Sequence, residues 1–284
     1  AVRTVISRRH YLGAKDFENV TSEDLKHYQQ AHKEKEYRLI DVRQPDEYSD
    51  GHIPGALLWP LDELEGRVSE LPQEQDIVFY CRSGARSQAA AIIALDENPA
   101  LQKVYNLMGG FMAWDGHALT DFPKIDVFSA GTSLADLMYR SMDLEKAAQR
   151  FYEVMHAENT GKAYAGTLEQ LSKAEEAHAR AIYSFWKQAV DSADPFETIY
   201  QSLAGEILEG GEPLMAAVER VQSTSDRSCI NLFELALTIE IQAYDLYRTM
   251  GDRESAPEVR DAFLAIAQME KKHMQMLAKA IGQC

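Results

Sequence analysis

Apolar positions follow two different rhythms along this chain, and the rhythm changes between residues 121 and 133. In the earlier part, RLIDV (38–42) and DIVFYC (76–81) are short, nearly continuous apolar runs, which predicts buried strands. VYNLMGG (104–110) predicts a third strand running into a turn. Between them, SEDLKHYQQAHK and SQAAAIIALDEN carry helical spacing. Alternating strand and helix signals predict an α/β domain built on a mostly parallel sheet flanked by helices.

Beyond DFPKIDVFSAGTS (121–133) the strand signal fades, and four long amphipathic stretches follow at about 134–157, 163–190, 228–250 and 256–282. Gly161 and Gly251 are expected at the turn within each pair. The connection 191–227 is long, and ETIYQSLAGEIL within it predicts further helix. Two helical hairpins joined by a long crossover outline an all-α four-helix bundle. The expected division is an α/β domain over 1–122, a linker over 123–133 and the bundle over 134–284, and a chain of 284 residues is long enough for both.

A formal net charge of −16, with acid spread over both halves, argues against a nucleic-acid partner, which would need a basic face. No apolar run reaches the roughly 18–20 residues of a membrane span. AVRTVISRRH at the start lacks the apolar stretch of a signal peptide, so a cytoplasmic protein is expected. The three cysteines, Cys81, Cys229 and Cys284, offer neither a disulfide framework nor a CxxC knuckle. Cys229 is expected as a small, partly buried residue and Cys284 as mobile and exposed, with nothing that requires it to take sulfur from Cys81.

Cys81 ends the strand DIVFYC and is followed by RSGARS before a helical run. A strand, a glycine-containing loop and a helix N-terminus form an anion cradle, in which loop N–H groups and the helix dipole lower a thiol's pKa. Arg82 and Arg86 add positive charge. IDVRQPDEYSDGHIPGA (40–56), CRSGARS (81–87) and NLMGGFMAW (106–114) together resemble a rhodanese domain over nearly the whole first part. The resemblance implies that Cys81 is the nucleophile, taking sulfane sulfur from a small donor such as thiosulfate and passing it to a thiol acceptor. It also implies that Arg82, Ser83, Gly84, Ala85 and Arg86 form the substrate loop. The rival chemistry is that of cysteine phosphatases, which resemble Cys-x5-Arg; Cys81 to Arg86 is the shorter Cys-x4-Arg. Asp41 and His52 match family positions too, and are expected to fasten structure rather than catalyse.

In the second part, AEEAHARA (174–181) places Glu175 and His178 about one turn apart on a helix, and MEKKHMQM does the same for Glu270 and His273. Both pairs lie on or beside an apolar stripe, where an uncompensated carboxylate costs several kcal/mol or is neutralised. LEKAAQRFYEVM (144–155) can be laid over IEIQAYDLYRTM (239–250), matching Glu145 to Glu240 and Tyr152 to Tyr247. The pattern 145, 175, 178 recurs as 240, 270, 273, so the hairpins are an internal repeat. One glutamate from each of two helices, plus Glu-x-x-His from the other two, is the donor set of di-iron and di-manganese carboxylate sites. Two iron ions are therefore expected, with manganese or zinc as alternatives.

This half resembles the rubrerythrin branch of the ferritin-like family. By that resemblance Glu175 and Glu270 bridge two metals, Glu145 and Glu240 are terminal ligands, and His178 and His273 cap one metal each. Tyr152 and Tyr247 are expected either to hydrogen-bond a ligand or to pack as ordinary core, and His156 to lie on the surface. Two departures matter. No paired CxxC ligands follow, so electrons are expected from an external donor protein. The extra glutamate common in the third helix is replaced by Ala243, mirrored by Ala148. The combined expectation is a sulfurtransferase fused to a dinuclear centre that reduces peroxide or reacts with dioxygen, assembled as a homodimer. An iron-storage or sensing bundle, with the first domain as a sulfur-relay or docking module, is the alternative.

Overall fold

The computed structural model describes residues 16–128, 133–190, 194–223, 229–254, 256–282 and 284. The stretch AVRTVISRRH and residues 129–132 of the expected linker lie outside them. The chain divides into two compact units, one up to Phe122 and one from Pro123.

The first unit is a five-stranded parallel sheet of β1 (Glu18–Val20), β2 (Tyr37–Asp41), β3 (Leu57–Leu58), β4 (Asp76–Tyr80) and β5 (Val104–Leu107), in the order β1-β5-β4-β2-β3. Four helices join them: α1 (Ser22–Ala31), α2 (Pro45–Asp50), α3 (Leu61–Arg67) and α4 (Ala85–Glu97). Because side chains alternate along a strand, β2 and β4 feed two cores. Ile40, Ile77 and Phe79 pack with Leu64 of α3 and with Ala90, Ala91 and Ala94 of α4. On the opposite face, Leu39, Val78 and Tyr80 pack with Leu25 of α1 and Tyr48 of α2. Thr21 caps α1 reciprocally with Asp24, and Pro45 opens α2 with its φ already suited to a helix. From β2 the chain moves outward to β3, whereas from β4 it moves the other way to β5. The crevice beyond the carboxyl ends of β2 and β4 is thus a topological switch point, the usual ligand position of a parallel sheet. Cys81 follows β4 directly.

The second unit is a bundle of two antiparallel hairpins. The first pairs α5 (Leu134–Glu158) with α6 (Ala165–Val190). The crossover carries α7 (Phe196–Ser202) and α8 (Leu214–Ser223), and the second hairpin pairs α9 (Cys229–Arg253) with α10 (Pro257–Ile281). Ser133 and Asp136 form a capping box at the start of α5. Its end is closed by Asn159, whose side-chain amide donates to the Met155 carbonyl at 2.7 Å. Gly161 does sit in the turn, at φ +87°. Gly251 does not: it lies inside α9, where a Cβ would come within 2.7 Å of the Leu264 side chain, so its smallness serves close helix packing. Part of the expected linker belongs to the bundle core, since Phe128 is buried and Ile125 and Val127 pack beside it.

The bundle core is divided along its length. One apolar cluster gathers Met138 and Met142 of α5, Ile182 of α6 and Phe263 of α10. The other gathers Phe151 and Met155 of α5, Leu171 of α6, Phe233 of α9 and Leu277 of α10. Between them runs a belt of ionisable residues. Among the described residues no helix is long and apolar enough to cross a membrane.

Candidate functional site

In the first unit Cys81 is a free cysteine and almost wholly buried. The chain turns sharply after it because Gly84 takes φ +96°, and α4 begins at the next residue. The Gly84 N–H donates to the Cys81 sulfur at 3.1 Å, and the Ser87 hydroxyl lies 3.5 Å from it. Burial by itself raises the thiol's pKa, but hydrogen bonds from the Ser87 side chain and from the backbone of Ser87, Ser83 and Gly84 outweigh it and lower the pKa. The loop is braced from behind by the turn after β5. The Phe111 N–H donates to the Cys81 carbonyl at 2.7 Å and the Met112 N–H to the Arg82 carbonyl at 3.0 Å. Gly110 makes that approach feasible, since a Cβ there would stand 2.2 Å from the Cys81 carbonyl oxygen.

Of the loop residues singled out by sequence, Arg82, Ser83 and Ala85 are exposed at the rim and Gly84 is buried beneath it. Arg86 is half-buried and forked onto Glu47 through two 2.7 Å bonds. That pairing holds the Glu47 carboxyl down to about 2 and raises Arg86. An anion over the loop therefore meets a guanidinium already matched by a carboxylate. Asp41 is buried and accepts the Arg43 guanidinium and backbone N–H, while His52 stacks on Tyr48 and pairs its backbone with Leu119. Ser87 and Glu47 were not singled out as site residues by sequence. Ser87 was within reach as the position that brings the first turn of α4 back over the cysteine.

In the bundle the four glutamates and two histidines converge in the belt, all of them buried. His178 Nδ1 faces Glu270 Oε1 at 3.2 Å, Glu145 Oε2 at 3.3 Å and Glu175 Oε2 at 3.4 Å. His273 Nδ1 faces Glu240 Oε2 at 3.0 Å, Glu175 Oε1 at 3.1 Å and Glu270 Oε2 at 3.5 Å. Glu175 and Glu270 thus present one oxygen to each half, while Glu145 and Glu240 each serve one. The imidazoles stack with centroids 4.4 Å apart. Tyr152 donates to Glu240. Its repeat counterpart Tyr247 is buried beside Glu145 but makes no hydrogen bond of acceptable geometry.

The belt suits bound cations better than it fits itself. His178 Nδ1 has three carboxylate oxygens around it, yet it makes no hydrogen bond, and neither do both oxygens of Glu145 nor one each of Glu175 and Glu270. Donor atoms that crowd together without aiming at one another surround a common point. Burial first, then neighbouring carboxylates, push Glu145 and Glu240 up to about 8. Against burial, which favours the neutral ring, the encircling carboxylates raise both histidines strongly. Oxygen and imidazole donors without thiolate suit iron, manganese or zinc. Glu175, His178, Glu270 and His273 each offer an atom within 4.8 Å of the others.

Two expectations about polar residues need correction. Cys229 and Cys284 are joined as a disulfide, 55 residues apart in sequence, although an odd cysteine count suggested no bridge. His156 is not free at the surface; it is half-buried, and its Nδ1 donates to the Ala165 carbonyl at 2.9 Å, fastening α5 to the start of α6.

Comparison with known proteins follows this division. The model of the rhodanese-like domain matches residues 23–117, and that of rubrerythrin matches 231–284. A sulfurtransferase of Allochromatium vinosum is 43% identical over 81 residues, which take in 28% of this chain and 74% of that protein. The thiosulfate sulfurtransferase GlpE of Coxiella burnetii is 31% identical over 85 residues, 30% of this chain and 78% of that one. Among solved structures, a rhodanese-like domain protein from Staphylococcus aureus is 26% identical, covers 36% of this chain and 97% of its own, and has a TM-score of 0.32. The chain belongs to the rhodanese-like family and carries, fused behind that domain, a rubrerythrin domain in a ferritin-like bundle.

Proposed function

We propose that the chain is a sulfurtransferase that carries sulfane sulfur as a persulfide on Cys81, and that its bundle holds a dinuclear iron centre reacting with peroxide or dioxygen. The observation that carries the first half is a buried thiol on which a loop N–H and a serine hydroxyl converge at the end of a central parallel strand. With a thiosulfate donor, the substrate named for the Coxiella relative, the Cys81 thiolate attacks the outer sulfur. A sulfur–sulfur bond forms to Cys81, the donor's own sulfur–sulfur bond breaks, and sulfite leaves with the electron pair. An acceptor thiolate then takes the outer sulfur and returns Cys81 as thiolate. Gly84 and Ser87 hold the negative sulfur, and the N-terminus of α4 faces the incoming anion.

For the second half, the supporting observation is the arrangement of six buried donors in two overlapping sets. Glu145 and His178 would hold one cation, Glu240 and His273 the other, and Glu175 and Glu270 both. Bound there, iron supplies redox chemistry and open coordination positions for an oxygen substrate. Tyr152 fixes the orientation of Glu240 through its hydrogen bond. The apolar clusters on either side keep bulk water from the carboxylates. We place reductant supply with an external electron-donor protein and assembly as a homodimer.

Each half has its own test. Thiosulfate-dependent sulfur transfer is expected from the parent and absent from Cys81→Ala; activity in that variant would remove the persulfide route. After anaerobic loading with ferrous iron and desalting, about two irons per chain are expected from the charge balance of four carboxylates. Far fewer are expected in the Glu175→Ala, Glu270→Ala double variant. Peroxide consumption by the reduced, loaded parent then tests reactivity, and a loaded protein inert to both oxidants would refute it.

A further inference from the structure

A seventh ionisable group lies in the belt, from a segment with no helical periodicity. Glu209 is in the crossover between α7 and α8, only 2% exposed, and its Oε2 has no hydrogen-bond partner. The crossover is folded tightly around it. Leu208 N–H donates to the Glu212 carbonyl, Leu214 N–H to the Glu206 carbonyl, and Ile207 bridges Pro213.

That turn is wedged between α5 and α9 at the height of the terminal glutamates. On the α5 side, the Gly205 N–H donates to Asp143 at 2.8 Å, and Arg150 donates to the Ala204 and Gly205 carbonyls. These anchors lie on either side of Glu145. On the α9 side, Gly210 is so close to Gln242, two residues from Glu240, that a Cβ would approach its side-chain oxygen to 2.3 Å. Leu208 packs in the same cluster as Ala147 and Ala148.

The charges acting most strongly on Glu209 are Glu145, Glu270 and Glu175. Those are the three carboxylates that surround His178 Nδ1. One backbone N–H bond offsets little of the cost of burying a carboxylate whose other oxygen is unpartnered and whose nearest charges are three more carboxylates. We propose that Glu209 is a seventh side-chain ligand of the metal centre, bound on the Glu145–His178 side only, so that the crossover makes two repeat-related metal positions unequal. The inference rests on the metal-centre reading of the bundle.

The test is titration of the metal-free full-length chain with Mn²⁺, free ion being counted by its electron paramagnetic resonance signal. Circular dichroism melting of the metal-free chain runs alongside. The parent is expected to take two ions. Glu209→Gln is expected to take one as the parent does and the other at least tenfold more weakly, while its metal-free form melts no lower than the parent's. Glu209→Asp keeps the charge but shortens the reach, and is expected to share the defect. Parental titration in Glu209→Gln overturns the proposal. Parental binding in Glu209→Asp with weakened binding in Glu209→Gln also overturns ligation, because charge alone would then suffice. A metal-free Glu209→Gln that melts much lower would make Glu209 a structural residue and overturn it as well. A parent that binds no metal overturns the metal-centre reading itself, and this proposal with it.

Discussion

Ser87 has one hydroxyl hydrogen and three acceptors. Asn106 Oδ1 stands 2.7 Å away, the Gly84 carbonyl 3.2 Å and the Cys81 sulfur 3.5 Å. Asn106 is itself held in place, because its amide nitrogen donates to Asn19 at 2.7 Å and turns its oxygen toward Ser87. With a neutral thiol at 81, the short bond to Asn106 wins. Once Cys81 is a thiolate, the hydroxyl turns to the charge and gives up that neutral bond. A hydrogen bond to a charged group contributes about 1.5–3 kcal/mol and a neutral one about 0.5–1.5 kcal/mol, so the net gain to the thiolate is about 1 kcal/mol. Since one pKa unit is about 1.4 kcal/mol, Ser87→Ala should raise the Cys81 pKa by roughly 0.7 unit. Asn106→Ala removes the competitor and should lower it by a similar amount. The rate of iodoacetamide alkylation against pH, read on the Cys81 peptide, gives both values. An upward shift in both variants, or none in either, would refute the competition.

Three further outcomes follow from the same geometry. Gly110→Ala places a Cβ against the Cys81 carbonyl at φ +57° and should destabilise the first unit by roughly 2–5 kcal/mol, read as a lower urea midpoint; an unmoved midpoint contradicts the brace. The Glu47–Arg86 pair, whose carboxyl pKa is depressed, should contribute about 1 kcal/mol above pH 4.5 and lose it as pH falls toward 2. Glu47→Gln should flatten stability over that window, and an unchanged acid limb would exclude the pair as its cause. Reducing the Cys229–Cys284 bridge should lower the melting point of the bundle, the loop-entropy limit for a 55-residue separation being about 4 kcal/mol; identical melting with and without reductant would show that the bridge constrains nothing.

What could be read from sequence was whatever repeats or alternates. The apolar runs at 38–42 and 76–81 became β2 and β4, because fully buried parallel strands need such runs. The four long helices sit within a few residues of the amphipathic stretches, and the 95-residue offset picked out the six donors that meet in the belt. The missing parts lack periodicity. β1 and β3, at three and two residues, are the sheet edges and too short for a pattern to develop. Gly251 looked like a turn because glycine breaks helices in general, whereas close packing against Leu264 is a tertiary fact. Glu209 lies in LEGGEP, which reads as an ordinary polar turn until the fold places it between α5 and α9.

The bridge between Cys229 and Cys284 bears on how the belt would keep a cation. It ties the start of α9 to Cys284 beyond α10, while residues 254–256 connect their other ends, so this hairpin is a closed covalent ring. Glu240, Glu270 and His273 all lie on that ring. Were α5 and α6 to separate from it, these three side chains would stay on one closed ring, whereas Glu145, Glu175 and His178 would be held together only by the connection between α5 and α6. A cation held in the belt would then keep half of its ligand set on one closed ring.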